Sequence, residues 1–249
     1  MLRLYRKGAE QRAAQLGFRL YDFWLADPEM SSARLRDILL ARGIRGLILP
    51  PQESFGTKIE FDFSEFTAVT IGYTLEAPKL HRVGNNVFAS VQMAYRKLQD
   101  RSYRRIALVV DEEVDCRVSR AFSAGYGSMS SNQQGVDTIP AFVCEGFDDK
   151  RFGKWYERWL PEVIMGTGPT LEEGVRPWLK RRGETPAIAE LNLSEEGVTD
   201  SGVDQQLELI GKTAVSLVFS QISHFEYGIP ETPLLTLVDG IWRDGERVP

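Results

Sequence analysis

The stretch Tyr103-Arg-Arg-Ile-Ala-Leu-Val-Val110 decides how the chain is divided. Its last five residues form a continuous apolar run, which is typical of a strand buried on both faces of a parallel sheet. An amphipathic helix precedes it, because apolar residues recur on one helical face at Val87, Val91, Ala94 and Leu98. We therefore expect this helix to close a first α/β lobe and the strand to open a second one, with the junction near residues 100–102.

The alternation of helices and strands continues on both sides of this junction. Gly17 and Gly43 stand where helices are expected to end, since glycine readily adopts the conformation of a C-terminal cap. Before the junction we predict helices over 2–16 and 31–42 and strands over 18–25, 46–50 and 68–72. After it we predict strands over 106–110, 136–144, 161–165 and 187–193, helices over 118–129, 171–180 and 204–224, and small strands over 234–238 and 240–243. This order predicts an α/β fold with parallel sheets.

Composition excludes several classes of protein. The 249 residues are 43% hydrophobic and 26% charged, as in an ordinary globular protein. No apolar run approaches the roughly 20 residues of a membrane-spanning helix, and the first seven residues lack the apolar core of a signal peptide. We therefore expect a cytoplasmic protein with no membrane contact. Neither Cys116 nor Cys144 belongs to a CxxC pair, so we expect reduced thiols.

Charge is distributed unevenly along the chain. Residues 1–50 contain nine Lys and Arg against five Asp and Glu, a net charge of +4, whereas the whole chain carries −5. Arg3, Arg6, Lys7 and Arg12 could face nucleic acid or could simply form a solvated helix face. Because the rest of the chain is acidic, we expect these 249 residues alone not to bind nucleic acid.

The common catalytic and cofactor motifs are missing from the sequence. Only His81 and His224 are present, which leaves little material for a histidine metal site or a catalytic triad. Gly211-Lys-Thr213 resembles the end of a phosphate-binding loop but lies inside a helical pattern, and a dinucleotide fingerprint at Gly166 lacks its third glycine. The acidic pairs 112–113 and 148–149 are typical of solvated helix ends. We therefore predict no catalysis, no metal site and no cofactor.

Six stretches together resemble the effector-binding core of the lactose/galactose repressor (LacI/GalR) family of bacterial transcription regulators. They cover residues 4–18, 40–49, 103–107, 124–126, 202–205 and 210–215. The resemblance implies two doubly wound parallel-sheet lobes, similar to those of periplasmic binding proteins, with a ligand cleft between the lobes at the carboxyl ends of the strands. It also implies three crossovers, with residues 1–101 and 204–227 in the N-terminal lobe and residues 102–203 and 228–249 in the C-terminal lobe.

The resemblance assigns ligand-facing positions to particular residues. Asn85, Phe122 and Asn192 occupy the three main positions, and Gln205 is a weaker candidate. Sugar-binding members of the family usually carry an acid, an arginine and an acid at the three main positions, so the ligand chemistry differs here. Arg117 and Arg120 lie nearby and either could reach the ligand or form a solvated helix face. Phe122 replaces a bidentate donor with a ring on which a sugar or base could stack.

The resemblance implies a sensor that responds to a small molecule, such as a sugar, and forms a homodimer. Regulators of this kind bind two half-sites on DNA through a helix-turn-helix head that precedes the first lobe. These 249 residues contain no such head, so DNA binding is implied only through a part outside them. The alternative is a stand-alone solute-binding protein of the sugar-transport type, which would be exported and monomeric.

The opening helix leads to a further expectation about the first lobe. In a parallel α/β lobe a helix such as 2–16 normally follows a strand, and no residues precede it here. We therefore expect the first sheet to lack an internal strand. Either Met1 is not the natural start of the protein, or another segment fills the gap.

Overall fold

The computed structural model describes residues 1–25, 30–130, 138–193 and 201–245. The chain forms two compact units. The first unit comprises Met1–Asn85 and Gln206–Val238, and the second comprises Asn86–Gln205 and Asp239–Pro249. The chain therefore passes from one unit to the other after Asn85, after Gln205 and after Val238.

The helices and strands follow one another in the alternating order expected of an α/β protein. The helices are α1 (Leu2–Gln15), α2 (Ser32–Ala41), α3 (Val87–Asp100), α4 (Glu112–Arg117), α5 (Ala121–Ser130), α6 (Asp149–Trp159), a π-helix (Thr170–Val175), α7 (Arg176–Arg182) and α8 (Leu207–Ser223). The strands are β1 (Gly46–Leu49), β2 (Thr57–Lys58), β3 (Thr67–Ile71), β4 (Leu75–Ala77), β5 (His81–Asn85), β6 (Ile106–Asp111), β7 (Phe142–Cys144), β8 (Val163–Gly166), β9 (Ala187–Glu190), β10 (Ser201–Asp204), β11 (Leu235–Val238) and β12 (Ile241–Arg243).

The first unit is built on a parallel sheet with strand order β1-β3-β5-β11. Helix α8 covers one face, where Ile210, Ala214 and Val218 pack against Val69 and Val83. On the other face, side chains of β1 and β3 pack in an apolar cluster with residues of the loop that joins these strands. The short strands β2 and β4 form a separate two-stranded sheet.

The second unit is built on a six-stranded sheet with strand order β12-β10-β9-β8-β6-β7. All neighbouring strands are parallel except β10 and β12, which are antiparallel. Residues Ile106 to Val110 are fully buried between apolar clusters on both faces, as their sequence predicts. Val91 and Leu98 of α3 lie on one face, and Phe152 of α6 with Trp178 of α7 on the other. The predicted α/β fold with parallel sheets is confirmed.

Two elements lie in a different unit from the one that the sequence predicts. Helix α3 belongs to the second unit rather than the first, because Val91, Ala94 and Leu98 share a cluster with Leu108 of β6. Strand β11 belongs to the first unit rather than the second, because it pairs with β5. Periodicity identified the buried face of α3 but could not identify the surface that this face contacts.

Several predicted elements also differ from those in the structure. Residues 18–25 form no strand, although their sequence is apolar and aromatic. The helix predicted over 118–129 begins later, because Ser119 and Arg120 both have a positive φ and separate α4 from α5. The helix predicted from residue 204 begins at Leu207, since Ser201–Asp204 forms β10. Strand β7 covers only the end of the predicted stretch 136–144, of which residues 136 and 137 lie outside the described residues.

Candidate functional site

The candidate ligand residues lie where parallel strands end. Open α/β sheets bind ligands at the carboxyl ends of their strands, because the loops there are free to vary without disturbing the sheet. Asn85 is the last residue of β5 in the first unit, and Asn192 and Gln205 follow β9 and β10 in the second. Helix α4, which ends at Arg117, begins directly after β6. The structure thus places these residues on the expected edge of each sheet.

Asn85 is half-buried, and its backbone carbonyl accepts a hydrogen bond of 2.8 Å from the hydroxyl of Tyr73. The next residue, Asn86, caps α3, because its Oδ1 accepts from the Ala89 amide at 3.2 Å. The Nδ2 of Asn86 donates to Asp239 at 2.8 Å. Asn86 therefore has a structural role, whereas Asn85 places its side chain at the end of β5. The Asn-Asn pair directly before an apolar helical pattern was the signal for this cap.

Gln205 is 2% exposed, and its side chain is used inside the second unit. Its Nε2 donates to the carbonyl of Leu191 at 2.5 Å, and its Oε1 accepts from the hydroxyl of Ser90 at 3.4 Å. The amide thereby joins the ends of β9 and β10 to α3. Asn192 directly follows Leu191 and is half-buried. Gln205 therefore supports the backbone beside Asn192, a role that the sequence did not indicate.

Phe122 is 6% exposed and lies in the apolar cluster of the second unit, together with Val87 and Val91 of α3. Its backbone amide is held by Asp115, whose Oδ1 accepts from Phe122 N at 3.0 Å. The ring therefore contributes to the core in this structure and is not exposed for stacking on a ligand. Phe122 was assigned to the ligand because it lies three residues before Gly125, but packing against α3 decides the direction of its side chain.

Asp115 is the buried polar group that holds the turn between α4 and α5. It is fully buried, and its carboxylate accepts from the amides of Phe122 and Ser123, at 3.0 and 3.2 Å, and from the Ser123 hydroxyl. Its backbone carbonyl accepts from Arg120 N at 2.7 Å. These bonds satisfy amides at the start of α5 that have no partner within the helix. Sequence reasoning missed this residue, because a buried acid cannot be distinguished from a solvated one by its position.

Arg117 and Arg120 both lie beside carboxylates of α4. Arg117 Nη2 is 3.5 Å from Glu113, its side chain is 33% exposed, and its buried Nε has no hydrogen-bond partner among the described residues. Arg120 is more exposed and forms an ion pair with Glu112. Hydrogen bonding from Arg120 lowers the pKa of the Glu112 carboxyl below its usual value, so the pair is charged at neutral pH. Both arginines are thus oriented by acids at the start of α4.

The carboxyl ends of the strands in the second unit are rich in acids. Three strands end on a carboxylate, namely β6 at Asp111, β9 at Glu190 and β10 at Asp204. Asp111 accepts from the amides of Glu113 and Gly146, at 2.9 and 3.3 Å, and so joins the ends of β6 and β7. Because the nearby arginines are already paired with acids, this edge disfavours an anionic ligand. Amide, carboxylate and guanidinium groups together suit a neutral ligand with several hydroxyls.

Other features of the described chain do not add a second candidate site. Within the described ranges, no group of three or more His, Cys, Asp or Glu side chains is arranged to hold a metal ion. A surface hollow in the second unit lies at the amino ends of β6, β8 and β9, where Tyr103, Glu162 and Ala187 line it, and is thus remote from the ligand candidates. None of the helices that the structure describes is both long enough and apolar enough to cross a membrane.

Two doubly wound units with parallel sheets, joined by three crossings, define the class of periplasmic-binding-protein-like folds. Solved structures that share this fold with the chain include transcription regulators. A regulatory protein of the LacI family from Chloroflexus aggregans is 18% identical, with a TM-score of 0.65 over 97% of this chain and 90% of that one. A periplasmic binding protein/LacI transcriptional regulator from Alkaliphilus metalliredigens, complexed with D-xylulofuranose, is 16% identical, with a TM-score of 0.64 over 98% and 93%.

The lac repressor dimer bound to operator and an anti-inducer is 13% identical, with a TM-score of 0.64 over 98% of this chain and 76% of that one. No protein-family model and no curated protein sequence matches the chain. The chain therefore has the fold of the effector-binding core of LacI-type regulators.

Proposed function

We propose that the chain is the effector-sensing core of a cytoplasmic transcription regulator of the LacI type. The observation that carries the proposal is the agreement in fold with such regulators over 97 to 98% of the chain. The polar residues at the carboxyl ends of the strands support it, because this is where α/β proteins bind small molecules. A sensor of this kind needs no catalytic group.

The proposed effector is a neutral molecule with several hydroxyl groups, such as a sugar. The Alkaliphilus metalliredigens protein with this fold was crystallised with D-xylulofuranose. Asn85 and Asn192 can each donate and accept hydrogen bonds to hydroxyls, and Arg117 and Arg120 can donate. Phe122 and Gln205, which the resemblance also assigned to the ligand, are proposed to act indirectly, through the core and through the backbone beside Asn192.

A thermal-shift screen of sugars, nucleosides and phosphorylated metabolites tests the effector class. A ligand present at 100 times its Kd stabilises the folded state by about 2.7 kcal/mol, which gives a measurable rise in melting temperature. We expect neutral sugars to raise the melting temperature and phosphorylated compounds to have no effect. If only anionic metabolites stabilise the protein, the proposed effector chemistry is wrong.

The Asn192→Ala variant tests the location of binding. Loss of one or two hydrogen bonds of about 1 kcal/mol each should weaken binding of an identified sugar by roughly 5- to 30-fold. The matched control is Gln99→Ala, since Gln99 is also a half-buried amide but lies in the last turn of α3, which leads to the start of β6. Equal weakening by both variants would show that the loss is not local to the strand ends.

We further propose that the protein acts as a homodimer and contacts DNA only through a head outside these 249 residues. The lac repressor, which shares the fold, is a dimer on its operator. A two-fold dimer matches two DNA half-sites, and the net charge of −5 gives this chain little affinity for phosphates by itself. Sedimentation equilibrium at micromolar concentrations should give twice the mass of 28.1 kDa. A monomer at high micromolar concentration would exclude the dimer.

A further inference from the structure

We propose that β11 pairs edge to edge with β11 of a second copy of this chain, antiparallel and around a two-fold axis at Thr236. The pairing joins the sheets of two first units into one continuous sheet. The proposal rests on the contacts and sequence of β11 and does not depend on an effector or on DNA. Three features of the strand support it.

The first feature is a free edge. β11 lies at the end of the first sheet and pairs with β5 alone among the described strands. The Leu234 carbonyl accepts from Arg82 N at 2.8 Å, so the backbone groups of Leu234 and Thr236 are directed toward β5. Backbone groups of successive residues in a strand point to opposite edges, so those of Leu235 and Leu237 point away from β5. Neither backbone hydrogen-bonds to a described residue at this edge.

The second feature is that the free edge is apolar and unprotected. Leu235 and Leu237 are 54% and 44% exposed. They lie on the face of the sheet opposite α8, because side chains alternate along a strand and Val238 packs in the cluster that contains α8. Edge strands of soluble proteins usually carry a lysine, a proline or a bulge that prevents pairing. β11, with the sequence Leu-Thr-Leu-Val, has none of these, so its edge is open to another strand.

The third feature is that the strand is complementary to itself. Two-fold symmetry requires antiparallel pairing, and an axis at Thr236 places Leu235 of one copy opposite Leu237 of the other. Each of the two resulting pairs exchanges two backbone hydrogen bonds, so both free residues are satisfied in both copies. The paired leucine side chains also meet on one face of the sheet, which removes apolar surface from water.

The distribution of charge also favours a second copy as the occupant. The chain carries a net charge of −5, so two copies repel each other wherever their carboxylates meet. No charged residue occurs between Pro233 and Val238, and in this register Asp239 of one copy lies opposite Pro233 of the other. Self-pairing therefore brings no two acids together and buries none.

Oxidative cross-linking of the full 249-residue chain tests the register. In Thr236→Cys the two new thiols lie directly opposite each other, with Cα atoms about 4.5 Å apart, which a disulfide can bridge. The matched control is Leu235→Cys, in which the two Cα atoms lie about 8 Å apart, beyond the reach of a disulfide. Both variants keep Cys116 and Cys144, so the control also accounts for these thiols. We expect at least five times more covalent dimer from Thr236→Cys.

Sedimentation equilibrium of the reduced chain tests the contribution of the exposed leucines. Leu235→Lys places a charge opposite Leu237, and we expect it to weaken self-association at least tenfold. The matched control is Leu160→Lys, since Leu160 is 56% exposed and lies in the second unit. We expect this control to change self-association by less than twofold. Far-ultraviolet circular dichroism checks that both variants are folded.

Equal cross-linking of the two cysteine variants would overturn the proposal, as would equal self-association of Leu235→Lys and the original chain. If dimers persist but Thr236→Cys does not cross-link them, another surface forms the homodimer proposed above and only the β11 pairing is wrong. If the original chain is a monomer at high micromolar concentration, both proposals are wrong, and the edge of β11 is left to a strand of a different protein.

Discussion

Asp115 should be among the most sensitive positions in the second unit, because its buried carboxylate holds three donors at the start of α5. Hydrogen bonds to a charged group contribute about 1.5 to 3 kcal/mol each, and donors left buried without a partner lose more than exposed ones. The start of a helix also favours a negative charge. We therefore expect Asp115→Ala to lower the free energy of unfolding by about 3 to 5 kcal/mol.

The matched comparison is Asp148→Ala at the start of α6. Asp148 is exposed and its side chain caps one amide, that of Arg151, at 2.6 Å. Loss of such a cap costs about 1 kcal/mol. Asp115→Asn keeps the volume and one acceptor oxygen but cannot accept from both amides and the hydroxyl equally well, so we expect an intermediate loss of about 1 to 2 kcal/mol.

Urea unfolding followed by circular dichroism measures these differences, and hydrogen exchange shows where they act. The exchange of amides in α5 should accelerate in Asp115→Ala while those of β9 change less, since the carboxylate contacts α5 directly. If Asp115→Ala costs no more than Asp148→Ala, the carboxylate does not hold the turn as its contacts indicate.

Two further predictions concern the first unit, with a glycine of the second as control. Gly211→Ala should lower the free energy of unfolding by about 1 to 3 kcal/mol, because a Cβ would lie 2.0 Å from the carbonyl oxygen of Tyr5. Gly127→Ala, whose Cβ would meet no neighbouring atom, should instead stabilise the protein by about 0.5 to 1 kcal/mol. Thermal unfolding measures both variants, and equal effects would contradict the close packing of α1 on α8. Burial lowers the pKa of His81 below its usual 6.5, and its Nδ1 accepts from Leu234 N at 2.9 Å. As the pH falls through that usual value, His81 is protonated more readily in the unfolded chain than in the folded one. Stability should therefore fall as the pH drops from about 7 to 5. Denaturant titrations should show that the stability of His81→Gln falls less over this pH range than that of the original chain. If the two fall equally, groups other than His81 cause the pH dependence.

Much of the architecture could be predicted because the signals are local. The apolar run that forms β6 is buried on both faces, and the helical spacing of Val87, Val91, Ala94 and Leu98 matches the buried face of α3. The order of helices and strands was therefore sufficient to predict an α/β fold with parallel sheets. The unit to which α3 and β11 belong was not predictable in this way, because periodicity records that a face is buried and not what buries it.

Residues 18–25 show a different limit of sequence reasoning. Their apolar and aromatic composition predicts a strand, yet they form none in this structure. A strand requires a hydrogen-bonding neighbour as well as a suitable sequence, since β propensity reflects packing in a sheet more than a preference of the backbone. Leu20, Phe23 and Leu25 are half-buried, whereas Phe18, Tyr21 and Trp24 are exposed, so the tertiary structure and not the composition decided that no strand forms here.

The candidate site shows the same difference between what the sequence indicates and what the tertiary structure decides. The sequence supplied Asn85, Asn192 and Gln205 as candidates through the family resemblance, but it predicted no strand before Asn85 or Gln205, and the structure places these residues at or just after the ends of β5, β9 and β10. Only the tertiary structure decided which side chains are directed into the protein. Phe122 lies in the core and Gln205 bonds to the Leu191 carbonyl, because packing and buried hydrogen bonds depend on neighbours that are distant in sequence.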